Sequence, residues 1–200
     1  MFDYIRKIFF RLKINKNNFT LGEGLKIEGR LNLNLTQNTN GNLVIGKNVT
    51  IRNGVEIRIK DNSTIIIGDN VVLDNDVRIL SANNGKLNLG QGSRLGKNTI
   101  INAGADIDLG ADCLLSGNVS INSSTHVINK KDFLYKNNYN HKKIKIGKNV
   151  WIGANAVLLP GISIGNNSVI DANIILNFNV EDDMVVKNIK NYEVEKINKI

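Results

Sequence analysis

Three observations predict an all-β chain wound as a left-handed parallel β-helix of about seven coils. An aliphatic residue recurs every six positions, a small or β-branched residue follows it four places later, and the places between are rich in Gly, Asn and Asp. The expected order is an amphipathic helical cap over 1–18, the β-helix over 19–181 with a protruding loop near 122–143, and a C-terminal cap or tail over 182–200.

Written in sixes, the middle of the chain reads IGKNVT IRNGVE, IGDNVV LDNDVR and LGQGSR LGKNTI INAGAD, and resumes later as IGKNVW IGANAV LLPGIS IGNNSV. The first place holds Ile45, Ile51, Ile57, Ile67, Leu73, Ile79, Leu89, Leu95, Ile101, Leu109, Leu115, Ile146, Ile152, Leu158, Ile164 and Ile170. The fifth holds Val49, Val55, Val71, Val77, Ser93, Thr99, Ala105, Cys113, Val119, Val150, Ala156 and Ser168. Places one and five are an even number of residues apart, so on short strands they share a face and both point into a narrow tube. Gly, Asn and Asp between them supply the turns. A helix would need apolar spacings of three and four, which are missing. Three sixes make an 18-residue coil, as from Ile146 to Ile164. Earlier starts at Leu21, Ile45, Ile67, Leu89 and Leu109 lie 24, 22, 22 and 20 apart, so the third side carries inserts at 57–66 and 79–88.

Composition narrows the class. Two hundred residues with 42% hydrophobic content suit one domain. A single cysteine excludes an internal disulfide framework and fits a reducing, cytoplasmic compartment. As a fifth-place residue, Cys113 reads as interior filling. No run of 18 apolar residues exists, so no helical membrane span is expected. At the N-terminus Phe2, Ile5, Phe9 and Leu12 share a helical face, flanked by Arg6, Lys7, Arg11 and Lys13. The segment is too short and charged for a signal peptide and reads as a cap, with weak association of 1–14 with an anionic membrane as the alternative. The net charge of +8 reads first as solubility of an Asn/Lys-rich chain, with attraction of a polyanionic small molecule such as a nucleotide or coenzyme A as the functional alternative. Nucleic acid is not expected, because the lysines are scattered and aromatics are only 6%.

Between Ile121 and Ile146 the sixes stop at INSSTHVINKKDFLYKNNYNHKKIKIG. A long polar loop leaving a regular solenoid is usually functional. It begins with His126, one of two histidines, and precedes the only tryptophan, Trp151.

The stretch INAGADIDLGADCLLSGNVSINSSTH, the loop, and IKIGKNVWIGANAVLLPGISIGNNSVIDA resemble the hexapeptide-repeat, left-handed β-helix acetyltransferases. Within these it is similar to the maltose, galactoside and polysaccharide sugar O-acetyltransferase branch. The likeness runs from about Ile100 to Ala172. It implies a homotrimer with active sites between neighbouring subunits and acetyl-CoA as co-substrate. It also implies His126 as general base, Asn102 and Trp151 at the acceptor, and Ala154 and Ala172 along the coenzyme's pantetheine arm. Imidazole, with an ordinary pKa near 6.5, suits removal of a sugar hydroxyl proton. Backbone amides would steady the thioester oxyanion.

The chain departs from the family pattern at its end. Asp171 and Asn173 replace small residues, Phe178 stands where lysine is frequent, and the terminal proline turn is absent. Lys187, with Lys190 and Lys196, is the candidate source of charge for the coenzyme phosphates. His141 reads as a solvated loop residue, and Asp106 or Asp132 as a group to orient His126. No metal is expected. A prism-shaped carbonic anhydrase needs three zinc-binding histidines, and two are present.

The function expected is acetyl-CoA-dependent O-acetylation of a hydroxyl in a cell-surface glycan or its precursor. The alternatives are N-acetylation of a nucleotide-linked amino sugar, acetylation of an antibiotic hydroxyl, and a non-catalytic β-helix used for binding or scaffolding.

Overall fold

A computed structural model describes residues 19–35, 40–127 and 138–188. The expected cap at 1–18, and with it the membrane-binding alternative, lies outside the described residues.

The sixes fold into two- to five-residue strands that stack, coil on coil, into three parallel sheets of seven, eight and seven strands. The first sheet runs from Phe19–Leu21 to Ser163–Ile164, the second from Lys26–Ile27 to Val185–Val186, and the third from Leu31–Leu35 to Ile175–Leu176. Seven coils are therefore complete, as the repeat count predicts.

Alternation on each strand fills the tube. Ile57, Ile79, Ile101, Ile121, Leu158 and Leu176 stand in register on the third sheet, and all are fully buried. Each such side chain contributes about 1.5–3 kcal/mol relative to exposure. Every expected first-place residue is buried, and so is every expected fifth-place residue except Ala105. Longer strands on the third side move the interior position there to Ser81, Ala103 and Ser123, leaving Ala105 half-buried in the following corner. Cys113 is interior, its thiol donating to the Gly147 carbonyl at 3.1 Å, and burial raises its pKa. That environment suits packing rather than reactivity.

The inserts lengthen the third-sheet strands Leu31–Leu35 and Val55–Ile59 to five residues. Second-sheet strands such as Thr50–Ile51 have two. Coils shorten along the chain: corner asparagines bond across 22 residues at Asn48–Asn70, 20 at Asn98–Asn118, 18 at Asn149–Asn167, and 16 at Asn167–Asp183. Val185–Val186 still pairs with Val169–Ile170, and Val180 bridges to Ile164. The stack thus continues past 181, where residues 182–188 begin an eighth coil, and the rest of the expected cap over 182–200 lies outside the described residues.

The corners explain the composition. Every described non-glycine residue with positive φ is Asn or Asp, among them Asn98, Asn118, Asn149, Asn155 and Asn173. These residues tolerate the left-handed conformation, and their amides also bond to the same corner of the next coil. Glycine serves a different need at the first corner. A Cβ on Gly90 would collide with the Gly110 backbone, and one on Gly110 with that of Gly147.

Asn118 has φ of 60° and accepts from Asn98 Nδ2 at 3.1 Å. Asn118→Val should cost about 1–2 kcal/mol of backbone strain plus about 1 kcal/mol for the lost bond. Asn118→Gly should cost only the second amount, and the midpoints of urea unfolding should rank parent, Gly, Val.

Candidate active site

After Ile121 and the interior Ser123, the chain leaves the corner between the third and first sheets. It forms a hairpin, with Ser124–His126 antiparallel to Tyr139–His141. Residues 128–137, including Asp132, lie outside the described residues. Ser123 anchors the exit. Its hydroxyl donates to the Ala105 carbonyl and accepts the Ala105 N–H, both at 2.9 Å.

The hairpin presents His126 to solvent, with its ring 4.5 Å from that of Tyr139 and tilted by 42°. The other face of the arrangement is His141, whose ring is 5.8 Å from Tyr139 at 27°. His141 Nδ1 is 2.7 Å from Ser124 Oγ, and its Nε2 is 3.3 Å from Asn83 Nδ2. The same Asn83 amide nitrogen donates to the Gly104 carbonyl at 3.4 Å. With Asn83 donating, Nε2 accepts and Nδ1–H donates to Ser124. Gly104 makes this contact feasible, because a Cβ there would strike Ser124 Oγ and His141 Nδ1.

His141 is exposed, as expected of a loop residue, and is also tied to Ser124 on the facing arm of the hairpin and to Asn83 of a preceding coil. The alternation Ser124, His126 and Tyr139, His141 across the loop was the signal available in sequence: a period of two on both arms marks a hairpin.

Asp106 does not orient His126. Its carboxylate pairs with Lys143 Nζ at 2.7 Å and accepts the Lys86 N–H at 3.0 Å. The Lys143 bond, foremost, holds its pKa below the ordinary carboxylate value. This contact joins the far arm of the loop to the preceding coil.

Asn102 lies on the outer side of the third sheet, in register with Asn122. Its Nδ2 donates to Asn122 Oδ1 at 2.8 Å, and Asn122 Nδ2 donates to Ser120 Oγ at 2.9 Å. Asn102 Oδ1 is buried and accepts no bond from the described residues.

The remaining expected residues gather elsewhere. Trp151 projects from the second sheet, half exposed, between Leu114 and Val169, and its indole N–H donates to Ser116 Oγ at 3.1 Å. The strand then enters the corner toward the third sheet, where Ala154 precedes Asn155. One coil later Ala172 precedes Asn173, and the Asn173 N–H donates to the Ala154 carbonyl at 2.9 Å. On the eighth coil Lys187 continues the same corner, following the Val186 that pairs with Ile170. Ala154 and Ala172 thus stack at one corner near Trp151, with Asn188 above them, its Nδ2 donating to the Ala172 carbonyl at 3.2 Å, while Lys187 stands one place earlier, over Asp171. Asn102 lies on the third sheet itself, and His126 lies beyond that sheet from this corner.

His141→Phe keeps a ring against Tyr139 but loses two hydrogen bonds, about 0.5–1.5 kcal/mol each. Amide exchange over Ser124–His126 and Tyr139–His141 should accelerate about tenfold, with solenoid melting unchanged. The depressed Asp106 pKa adds stability that is present above the unfolded pKa and lost as pH falls through the folded value. Asp106 is partly exposed, so Asp106→Asn should remove under about 1 kcal/mol, and the stability of this variant should fall less steeply between about pH 5 and 3.

Comparison with known proteins matches the repeat and the fold. The profile described as a hexapeptide repeat of succinyl-transferase matches residues 87–123 and 143–177, flanking the hairpin on both sides. A galactoside O-acetyltransferase of Escherichia coli K12 is 40% identical over 55 residues, 28% of this chain and 27% of that protein. One from Lactococcus lactis is 44% identical over 43 residues, 22% of this chain and 21% of that protein. The matched stretch spans about a quarter of the length of these curated relatives. The crystal structure of the polySia-specific acetyltransferase NeuO superposes with a TM-score of 0.61 at 20% identity, covering 92% of this chain and 93% of that one. The N-acyltransferase AntD from Bacillus cereus gives 0.61 at 16% identity over 92% and 82%. At these identities the two structures bear on the fold. With the repeat and the three parallel sheets, these likenesses make the chain similar to hexapeptide-repeat β-helical proteins over the matched stretches.

Proposed function

We propose that the protein is an acetyl-CoA-dependent O-acetyltransferase acting on a sugar hydroxyl of a cell-surface glycan or its precursor, with His126 as general base. The observation that carries this reading is the exposed imidazole of His126 on a hairpin clamped to the solenoid by His141 and Ser124, on the coil next to Asn102 with its unpartnered buried carbonyl oxygen. The names of the relatives, galactoside and polySia acetyltransferases, supply the acceptor class.

In this reading Asn102 Oδ1 accepts a hydroxyl of the sugar and fixes the ring. His126 takes the proton of the neighbouring hydroxyl as its oxygen attacks the thioester carbon, and returns it to the sulfur as the C–S bond breaks. Acetyl-CoA supplies the acyl group. The corner of Ala154 and Ala172 suits the pantetheine arm, because small side chains leave the backbone open to close approach, while Lys187 offers charge to a phosphate. That corner lies across the third sheet from His126. The separation supports a site shared between copies of the chain, the base from one facing the corner and Trp151 of another, in a homotrimer. A reducing cytoplasm, where acetyl-CoA is available, is the compartment this chemistry requires.

The test is thiol release from acetyl-CoA against neutral glycans, acidic glycans and nucleotide-linked amino sugars. His126→Ala should lower kcat about 10²–10⁴-fold on the hydroxyl acceptor that turns over best. Unchanged turnover would remove His126 from the mechanism, and turnover confined to amines would reassign the acceptor.

A further inference from the structure

Beside Asn102, the outer side of the third sheet carries a charge arrangement that the reaction does not use. Glu56 stands between two arginines: Arg58 Nη2 is 2.5 Å from its Oε1, and Arg78 Nε is 3.5 Å from its Oε2. The three side chains are between 26% and 36% exposed, so the cluster is partly desolvated and weakly screened. Two guanidinium groups share one carboxylate, which leaves a positive charge unmatched. Glu56 is the only acid among the outward residues of the described third-sheet strands. The Nε atoms of both arginines are buried without a hydrogen bond, Arg78 Nε lying within ion-pair range of Glu56 but bonded to nothing.

Register places this cluster relative to Asn102. Arg78 pairs with Ile100, and Leu80 lies between Arg58 and Asn102 on successive coils. With strands about 4.8 Å apart, Arg78 is one coil and Arg58 two coils from Asn102, roughly 5 and 10 Å along the face. A disaccharide laid along the prism spans that distance.

We propose that Arg58 and Arg78 form a subsite for an acidic group of the acceptor, a carboxylate or phosphate carried one or two units from the acetylated hydroxyl. The forked guanidinium donors match the planar or tetrahedral oxygens of such groups, and Leu80 and Ile100 give the intervening sugar ring an apolar floor. Glu56 holds the two arginines apart and aims them, and also competes with the incoming anion. This rests on the proposed use of Asn102 at the acceptor.

The experiment is calorimetric binding to the full chain without acetyl-CoA, so that it reads the subsite independently of catalysis. The ligands are galacturonic acid trimer for a carboxylate, a UDP-linked hexose for a phosphate, and maltotriose as the neutral control. The parent should bind one acidic ligand better than maltotriose, with an advantage that shrinks as salt rises. Whichever acidic ligand wins identifies the source of the charge. Arg58→Gln and Arg78→Gln should each weaken that ligand about ten- to a hundredfold, leaving maltotriose unchanged. Glu56→Gln should tighten it, a change of sign that a purely structural ion pair would not give. Equal binding of acidic and neutral ligands by the parent, or weaker acidic binding in Glu56→Gln, would overturn the subsite. An inactive chain that still prefers the acidic ligand would sink the acetyltransferase reading and leave the subsite standing.

Discussion

The coil-to-coil backbone ladder is the constraint on which everything else depends. A two-residue strand such as Trp151–Ile152 has no stability alone, and it exists because Leu114–Leu115 below and Val169–Ile170 above complete its hydrogen bonds. That ladder survives only if each corner returns the chain to the same register. Asn or Asp in the left-handed region does so at corner after corner, with the amide of one coil bonded to the next. Because the rise per coil is fixed, any residue repeated at a given corner becomes a column along the prism. Function is written in those columns.

Two columns matter most. The corner leading into the third sheet carries Ala154 and Ala172, with Asn188 stacked above them and Lys187 one place earlier, beside Asp171. The outer side of the third sheet carries Arg58 and Arg78, then Asn102 with its unpartnered oxygen, and leads to the hairpin bearing His126. The hairpin leaves the stack where Ser123 plugs the interior and Gly104 leaves room for Ser124 and His141. An exposed base on a clamped arm differs from one on a free loop. The bond of His141 to Asn83 on a preceding coil, with its bond to Ser124 across the hairpin, limits where His126 can stand, as the proposed base role requires.

Much of the fold was legible in the chain because a sixfold repeat of aliphatic residues admits few other solutions. Ile57, Ile79 and Ile101 could be stacked from spacing alone, and the three sheets place them so. The misjudged interior residue, Ala105, shows where the reasoning thins. A longer third-side strand shifts the interior alternation by two, and spacing within a repeat does not reveal which side absorbs an insert. The same holds for the end of the stack, where Val185–Val186 continues the ladder without the usual Gly-containing turn. At the site, residue type and the break in the repeat pointed to His126, and Asn102 came from the family resemblance alone. Partners across coils did not emerge, because the bonds of His141 to Asn83 and Ser124 span 58 and 17 residues. The pairing of Asp106 with Lys143, rather than with a histidine, is likewise a fact of three dimensions.

The central functional claim is that His126 of one copy works with the Ala154 corner of another, and mixing two disabled chains tests it most directly. His126→Ala lacks the base, and Ala154→Arg fills the corner. Each should be inactive alone, and a co-refolded mixture, confirmed as mixed assemblies by mass, should recover acetyl transfer. Mixed assemblies that stay inactive would contradict a shared site and return both groups to a single chain.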